Sequence, residues 1–437
     1  MLERINGYIW NAGLLTLLLG VGVLLTLRTG FFQIRGIGYI LKSIFSSLKK
    51  DKKAEGLSQW KICTAALSAS MGTGNIVGVT AALSIGGAGA IFWMWCSAFF
   101  GMMLTYGENV LAVRFRKRDG QGSLFGGPMA YLRYGLGAKP LAVLYAVFCI
   151  LASFGMGNMT QSSAAASALE EAFSVPPLVT GILLAVLLAA AVLGGLRSVG
   201  SVTQLLLPLA AAGYMLLAVW VIVLHGDRIP SVLGEIFRGA FDFRSVGGGA
   251  AGAAVSAGLR HGVFSNEAGL GSSALIHSNA SGDDRYLQGM WSIFEVFLDT
   301  MVCCTLTALA VLTSGVPVTL GAGPIAAAFS AVLGDSASVV TAVMISLFAV
   351  CTMLGWCCCG ETAVSSLSTR RSVLLAYRGA FCICAGLGAV GTLSSVWTLS
   401  DIANGLMAVP NLLGLLLLMK YIQTPPEWKI GRCGKIR

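Results

Sequence analysis

The sequence predicts an all-α polytopic membrane protein, and three observations carry that prediction. Hydrophobic residues make up 56% of the 437-residue chain and charged residues only 11%, whereas a soluble domain carries about 25% charged residues. Mostly apolar segments of about 18 residues or more, long enough to cross a bilayer as helices, recur from one end to the other. The alternating ten-residue strands that mark a membrane barrel are missing. Chain length alone would predict about three soluble domains, but that expectation does not transfer to one continuous bundle.

Hydropathy and turn residues place about eleven transmembrane helices, at 8–28, 60–80, 83–106, 138–168, 177–195, 202–224, 247–275, 286–313, 336–359, 374–398 and 402–421. Between the first two, 34–50 reads as an interfacial amphipathic helix. Ile37, Ile40, Leu41, Ile44 and Leu48 share one face there, with lysines opposite and just after it. The first apolar run begins near Trp10 without a basic leader or an A-x-A-like cleavage site, so no cleaved signal peptide is expected.

Lys and Arg set the orientation. With the N-terminus outside, the inner segments 28–61, 107–139, 196–201, 276–286, 360–378 and the tail from Lys420 hold 24 of the 29 basic residues. This is a strong positive-inside bias. It puts the C-terminus inside, as an odd helix count requires. The net charge of +10 is therefore a topology signal and a contact for lipid headgroups, and no nucleic acid is needed to explain it. Most of the twelve cysteines, including Cys303, Cys304, Cys351, Cys357, Cys358, Cys359, Cys382 and Cys384, lie in apolar spans without metal-type spacing. There cysteine acts as a small hydrophobe.

Setting the first helix aside leaves two groups of five. The chain then divides into an N-terminal helix with its interfacial segment (1–59), a first five-helix repeat (60–224), a second, inverted repeat (247–421) and a basic tail (422–437). The helix that opens each repeat is interrupted by glycine and polar residues: Ser70-Met71-Gly72-Thr73-Gly74-Asn75 in one, Ser265-Asn266-Glu267-Ala268-Gly269 in the other. Interruptions at matching positions of inverted halves point to a transporter binding site.

The physical reason is that unwound backbone at membrane depth persists only where it is buried or lines a polar cavity. A half-helix N-terminus then offers free N–H groups to a carboxylate, and the opposite half offers carbonyl oxygens to a small cation. Helix–helix packing accounts for Gly86, Gly87, Gly89 and the run Gly247-Gly248-Gly249. It does not account for Asn75, Asn266 and Glu267, which are costly at that depth.

The residues at both breaks resemble the alanine/glycine:cation symporter family, also called sodium:alanine symporters. The resemblance runs through Gly72-Thr73-Gly74-Asn75-Ile76-Val77-Gly78-Val79, Gly89-Ala90-Ile91-Phe92-Trp93-Met94-Trp95 and Gly126-Gly127-Pro128-Met129. It continues in Gly157-Asn158-Met159-Thr160-Gln161, Phe264-Ser265-Asn266-Glu267-Ala268-Gly269-Leu270-Gly271 and Phe297-Leu298-Asp299-Thr300. Together these cover roughly residues 60–420 in family order.

The resemblance implies a LeuT-like fold of five plus five inverted helices preceded by one extra helix. It implies import of a small neutral amino acid, alanine or glycine, with Na⁺ or sometimes H⁺, across the cell membrane. Carried over by position, the substrate contacts are Thr73 and Gly74 at the first break, Gln161, Phe264, Thr352 and Trp356, joined by the break residues Asn75 and Asn266. The spacing of Thr352 and Trp356 puts both on one helical face. A hard cation prefers oxygen ligands, so backbone carbonyls of Ser70, Met71 and Gly72 with the Thr352 hydroxyl are the Na⁺ candidates. The sequence departs from the family at Cys351, where a serine is usual, and at Cys357-Cys358-Cys359, where hydroxyl and aromatic residues are usual. A thiol is a poor Na⁺ ligand.

Other charged residues have plainer readings. Glu295 and Asp299 lie four apart and are expected to face the same way, as a proton relay or bonded to backbone or Arg260. Glu108 and Glu361 are expected to pair with Arg114 and Arg370, and His277 to make a polar contact at a helix end. Glu267, inside the second break, is expected to fix Asn266 or hold the unwound backbone. A channel would want charge rings or a repeated carbonyl filter. An enzyme would want a nucleophile–base pair or metal set, and His225, His261 and His277 form none. The reading is a secondary transporter with no obligate protein partner evident.

Overall fold

The computed structural model describes residues 2–10, 12–50, 58–118, 124–192, 195–242, 249–391 and 393–428. It is helical apart from one two-residue hairpin, in which β1 (Lys117–Arg118) pairs antiparallel with β2 (Leu124–Phe125). Among the described residues, eight helices are long and apolar enough to cross a membrane. A ninth arises if the bent pair Gln59–Ser70 and Thr73–Gly86 is counted as one span. Helix lies in every hydropathy window named above. The windows 177–195 and 247–275 fall outside the long apolar set, because Pro177–Val192 has 16 residues and the other is interrupted.

The chain enters through α1 (Ala12–Arg28) and the interfacial α2 (Ile37–Lys50). On α2, Ile40 and Ile44 are buried and Leu48 half-buried, while Ile37 and Leu41 face outward, so the inward face is narrower than expected. The first broken helix is α3 (Gln59–Ser70) followed by α4 (Val77–Gly86). Ser58 caps α3 by accepting from Lys61 N at 3.2 Å, which satisfies an otherwise orphaned donor. Next, α5 (Gly89–Arg114) starts later than the expected 83, because the apolar run continues through Gly86 and turns at Gly87, whose φ is +63°. Gly87 therefore serves the turn and not packing, since nothing would meet a Cβ there. Gly86 and Gly89 are packing positions as read: a Cβ on either would strike backbone of Ala254 or of Gly239 and Ala240. Gly247 and Gly248 lie outside the described residues.

The scaffold continues with α6 (Lys139–Phe154), α7 (Thr160–Phe173), α8 (Pro177–Val192), α9 (Gly195–Leu224) and α10 (Ile229–Ala240). The second broken helix is α11 (Gly249–Asn266) followed by α12 (Ser272–His277). Then come α13 (Arg285–Val296), α14 (Thr305–Ser314), α15 (Gly323–Leu333), α16 (Ala337–Leu367), α17 (Arg371–Val390) and α18 (Leu393–Leu417). The expected window 374–398 is split at Gly391, and α18 begins about nine residues before the expected 402. Of the tail 422–437, residues 429–437 lie outside the described set.

Lipid removes most of the hydrophobic drive between helices, so small residues and polar bonds set the packing. Gly258 and Gly262, four apart on α11, face Ala90, Trp93, Met94 and Ser97 of α5 so closely that neither tolerates a Cβ. Gly355 likewise seats α16 on Ala69 of α3. Trp10 donates Nε1 to the Asp401 carbonyl at 2.8 Å, tying the N-terminal segment to α18.

Among the described residues three stretches carry π-helical geometry: Tyr131–Gly135, Gly155–Met159 and Phe297–Cys304. Such bulges are frequent at functional sites because they shift side-chain register. The third explains one failed expectation. Glu295 precedes the wide turns and Asp299 lies within them, so the two carboxylates take separate partners. Glu295 accepts from His277 Nε2 at 2.8 Å, and Arg260 instead pairs with Asp401. Glu361 pairs with Arg378 at 2.6 Å, one helix along, and not with Arg370. Glu108 accepts from Asn411 at 2.6 Å and makes no ion pair with Arg114.

Candidate functional site

At the first break α3 ends on Met71, Gly72 is extended, and Thr73–Asn75 form a single 3₁₀ turn before α4 resumes at 56° to α3. The backbone freed here is held by side chains. Gly72 N donates to Asn75 Oδ1 at 3.0 Å. Thr73 N and Oγ1 donate to Gln161 Oε1 at 3.2 and 2.9 Å. The Thr352 hydroxyl donates to the Met71 carbonyl at 3.4 Å. A Cβ on Gly72 would collide with Thr352 Oγ1 and lie 3.1 Å from Gln161 Oε1. Only glycine lets these three elements converge.

Gln161 reaches the break because the π-helical Gly155–Met159 immediately precedes it. Its Nε2 donates to the Met156 carbonyl, freed by that wide turn, at 3.0 Å. Gly157 in the same turn makes room for Trp356, whose ring would overlap any Cβ there.

The second break is displaced from its expected place. Ser265 and Asn266 are the last helical residues of α11, and the interruption covers 267–271. Glu267 at φ +55°, Gly269 at +89° and Gly271 at +81° turn the chain through left-handed backbone. Freed carbonyls are again met by side chains: Tyr145 OH donates to Leu270 O at 2.8 Å and Asn411 Nδ2 to Gly269 O at 2.7 Å. Trp356 Nε1 donates to Glu267 Oε1 at 2.6 Å, and Ser272 donates to the other carboxylate oxygen.

One residue joins the two breaks. Asp299 accepts from Asn75 Nδ2 at 2.7 Å and from Ser265 Oγ at 2.7 Å, with Thr300 Oγ1 adding a third bond at 2.8 Å. Thr307 on α14 meets the Asn75 carbonyl at 2.8 Å. Among the described residues none of Glu108, Glu267 or Asp299 has a Lys or Arg partner. Buried carboxylates at this depth need such hydrogen-bonded cages.

The residues read from sequence thus fall into groups. Met71, Gly72, Thr73, Gln161 and Thr352 meet at the first break. Gly74 faces Phe264, whose ring lies 3.4 Å from a Cβ placed on that glycine and stacks on Trp397 at 4.7 Å. Asn75 is committed to Gly72 and Asp299. Trp356 is turned to Glu267. Asn266 caps Ala268 N at 3.0 Å and leaves Nδ2 without a partner. Ser70 Oγ bonds back to the Leu67 carbonyl at 3.3 Å. Two neutral oxygens, Met71 O and Thr352 Oγ1, lie 3.4 Å apart, and Cys351, the residue before Thr352, is buried.

Sequence reasoning missed Trp397, Asn411 and Tyr145, which carry no local signature and act only across the fold. It noticed Asp299 but not its bridging place. The described cysteines are free thiols, and no group of three or more His, Cys, Asp or Glu residues suited to a metal occurs among the described residues.

Comparison with known proteins agrees with this architecture. The family model for the Sodium:alanine symporter family matches residues 1–425. The chain is 41% identical to the sodium/alanine symporter AgcS of Methanococcus maripaludis, covering 96% of this chain and 94% of that protein. It is 34% identical to the probable sodium/glutamine symporter GlnT of Bacillus subtilis, covering 96% and 88%. The fold is shared with the crystal structure of MhsT in complex with L-phenylalanine, with TM-score 0.53 and 15% identity over 85% of this chain and 100% of that one. The protein is a LeuT-like, multi-pass cell-membrane transporter and not an enzyme, and it belongs to the Sodium:alanine symporter family.

Proposed function

We propose that the protein imports a small neutral amino acid, alanine or glycine, together with Na⁺ by alternating access. The observation that carries this reading is the convergence of Gln161, Thr352 and the Thr73 donors on one unwound turn. Thr73 N and Oγ1 both donate to the neutral amide oxygen of Gln161. A substrate carboxylate makes charge-assisted bonds about twice as strong as neutral ones, so it displaces that oxygen. Rotation of the amide then turns Nε2 toward the carboxylate as a further donor. Gly74 and the Phe264 ring facing it bound the side-chain end, which favours hydrogen or methyl. Asn75 shapes the turn through Gly72, and Asn266 offers an unused amide N–H. AgcS is named for alanine and GlnT for glutamine, and the crowding at Gly72 supports the smaller substrate.

The Met71 carbonyl and Thr352 hydroxyl, with neighbouring carbonyls of Ser70 and Gly72, are the proposed Na⁺ ligands. H⁺ coupling is the second reading, favoured by Glu267 and Asp299, which are buried without a Lys or Arg partner among the described residues. In the same reading the chain makes eleven crossings. Residues 1–59 precede two inverted five-helix units, 60–224 and 247–421, with the N-terminus outside and the C-terminus inside. Its support is the inner placement of 24 of 29 basic residues and the presence of a broken helix at the start of each unit.

Uptake into proteoliposomes tests the proposal. Labelled alanine or glycine should accumulate under an inward Na⁺ gradient and equilibrate without one. Accumulation under a proton gradient alone would replace Na⁺ by H⁺, and no accumulation of any small neutral amino acid would overturn the reading.

A further inference from the structure

The geometry points to a binding site for an anionic phospholipid, headgroup and first acyl segment together, at the basic end of α6. A cavity of about 250 Å³ opens there between Met129, Ala142 and Leu367, with the cationic side chains of Arg133 and Lys139 in its wall. That is the volume of roughly eight waters, enough for a phosphodiester headgroup. Neither cation forms an ion pair among the described residues. More positive charge lies close to the cavity residues, in space or along the chain. Lys117 sits 4.4 Å over the ring of Tyr134, next to Arg133, and Arg370 and Arg371 follow the cavity residue Leu367 by three and four positions. An anion is the complement to such a wall.

The second observation selects a lipid over a free anion. Val143, at the cavity edge, begins a row with Val147 and Leu151 that is 51%, 40% and 50% exposed. Residues four apart share a helical face, so the row is one apolar stripe running about 12 Å down α6. It leads away from the cations toward the middle of the membrane. Phosphate at the cavity and an acyl chain along the stripe satisfy both features with one molecule. The cavity lies at the first turn of α6 and the last turn of α16, where a spanning helix meets the headgroups. Tyr134, half in and half out, is the residue type enriched at that level. Basic pockets between spanning helices bind acidic headgroups in this way.

The test uses the delipidated full chain and native mass spectrometry. It is titrated with phosphatidylglycerol, with phosphatidylcholine of the same acyl chains, and with inorganic phosphate. The site predicts roughly thirtyfold greater retention of the anionic lipid over the zwitterionic one, as two cations near a headgroup would give. R133Q/K139Q should remove the preference, whereas R133K/K139R and the distant pair K42Q/K49Q should keep it. A photoactivatable phosphatidylglycerol on the unmodified chain should label residues 139–151, which decides the matter if the neutral pair does not fold. Equal retention of the two lipids, a preference that survives R133Q/K139Q, labelling elsewhere, or full competition by inorganic phosphate would each overturn the assignment.

Discussion

Asn75 Nδ2 lies 2.7 Å from Asp299 Oδ1, and through this bond the first broken helix is held to the helix that also holds the second. Asn75 uses its other amide atom on Gly72 N, so one side chain both shapes the turn and anchors it. We expect D299A to take the carboxylate from three buried donors, those of Asn75, Ser265 and Thr300, at about 1–3 kcal/mol for each left unmet. Uptake should fall at least tenfold (about 1.4 kcal/mol) with a lowered thermal transition. D299N keeps an acceptor and should lie between D299A and wild type. An unchanged transition in D299A would show that the bridge is not structural.

Gln161 should report substrate binding. Q161A removes the amide that faces Thr73 and should raise the half-saturating alanine concentration roughly tenfold, the worth of a hydrogen bond to a charged group. Q161E sets a second carboxylate against that of the substrate and should abolish uptake while the protein still expresses. Normal transport by either variant would place the substrate elsewhere.

The two glycines of the first turn should behave differently. A Cβ on Gly72 strikes Thr352 and crowds Gln161, whereas one on Gly74 meets Phe264 at an ordinary 3.4 Å. G72A should therefore lose transport outright. G74A should fold normally and shift preference from alanine toward glycine, read by competition between the two labelled substrates.

Trp356 donates to a buried carboxylate that has no cationic partner among the described residues. W356F keeps an aromatic ring but removes the indole N–H, leaving Glu267 short of a donor at a cost of about 1–3 kcal/mol. G157A should act on the same contact by displacing the ring. Both are checked by thermal unfolding in detergent alongside uptake, and stable, active variants would remove Trp356 from the site.

Cys351 precedes Thr352 on α16 and is buried. Oxygen is the better ligand for a hard cation, so C351S should lower the Na⁺ concentration that gives half-maximal alanine uptake. A shift the other way would show that the cation lies away from this turn.

Membrane class, the approximate helix positions and the first break were legible in the sequence because each is a local property, whereas the second break lies two residues later than its glycine-polar run suggested. An apolar run long enough to span, a glycine-polar interruption and a cluster of lysines need no partner to be recognised. The family motifs extended that reading to Gln161, Phe264, Thr352 and Trp356, which do converge on the breaks or their immediate neighbours. Tertiary structure decided the rest. The pairings of Glu295 with His277, of Glu361 with Arg378 and of Arg260 with Asp401 depend on which helices meet. The π-helical turns at Gly155–Met159 and Phe297–Cys304 change register without any glycine or proline rule to announce them all. That change carried Asp299 away from Glu295 and into the space between Asn75 and Ser265. A spacing of four residues predicts a shared face only while the helix stays α, and the wide turns at this site are where that condition fails.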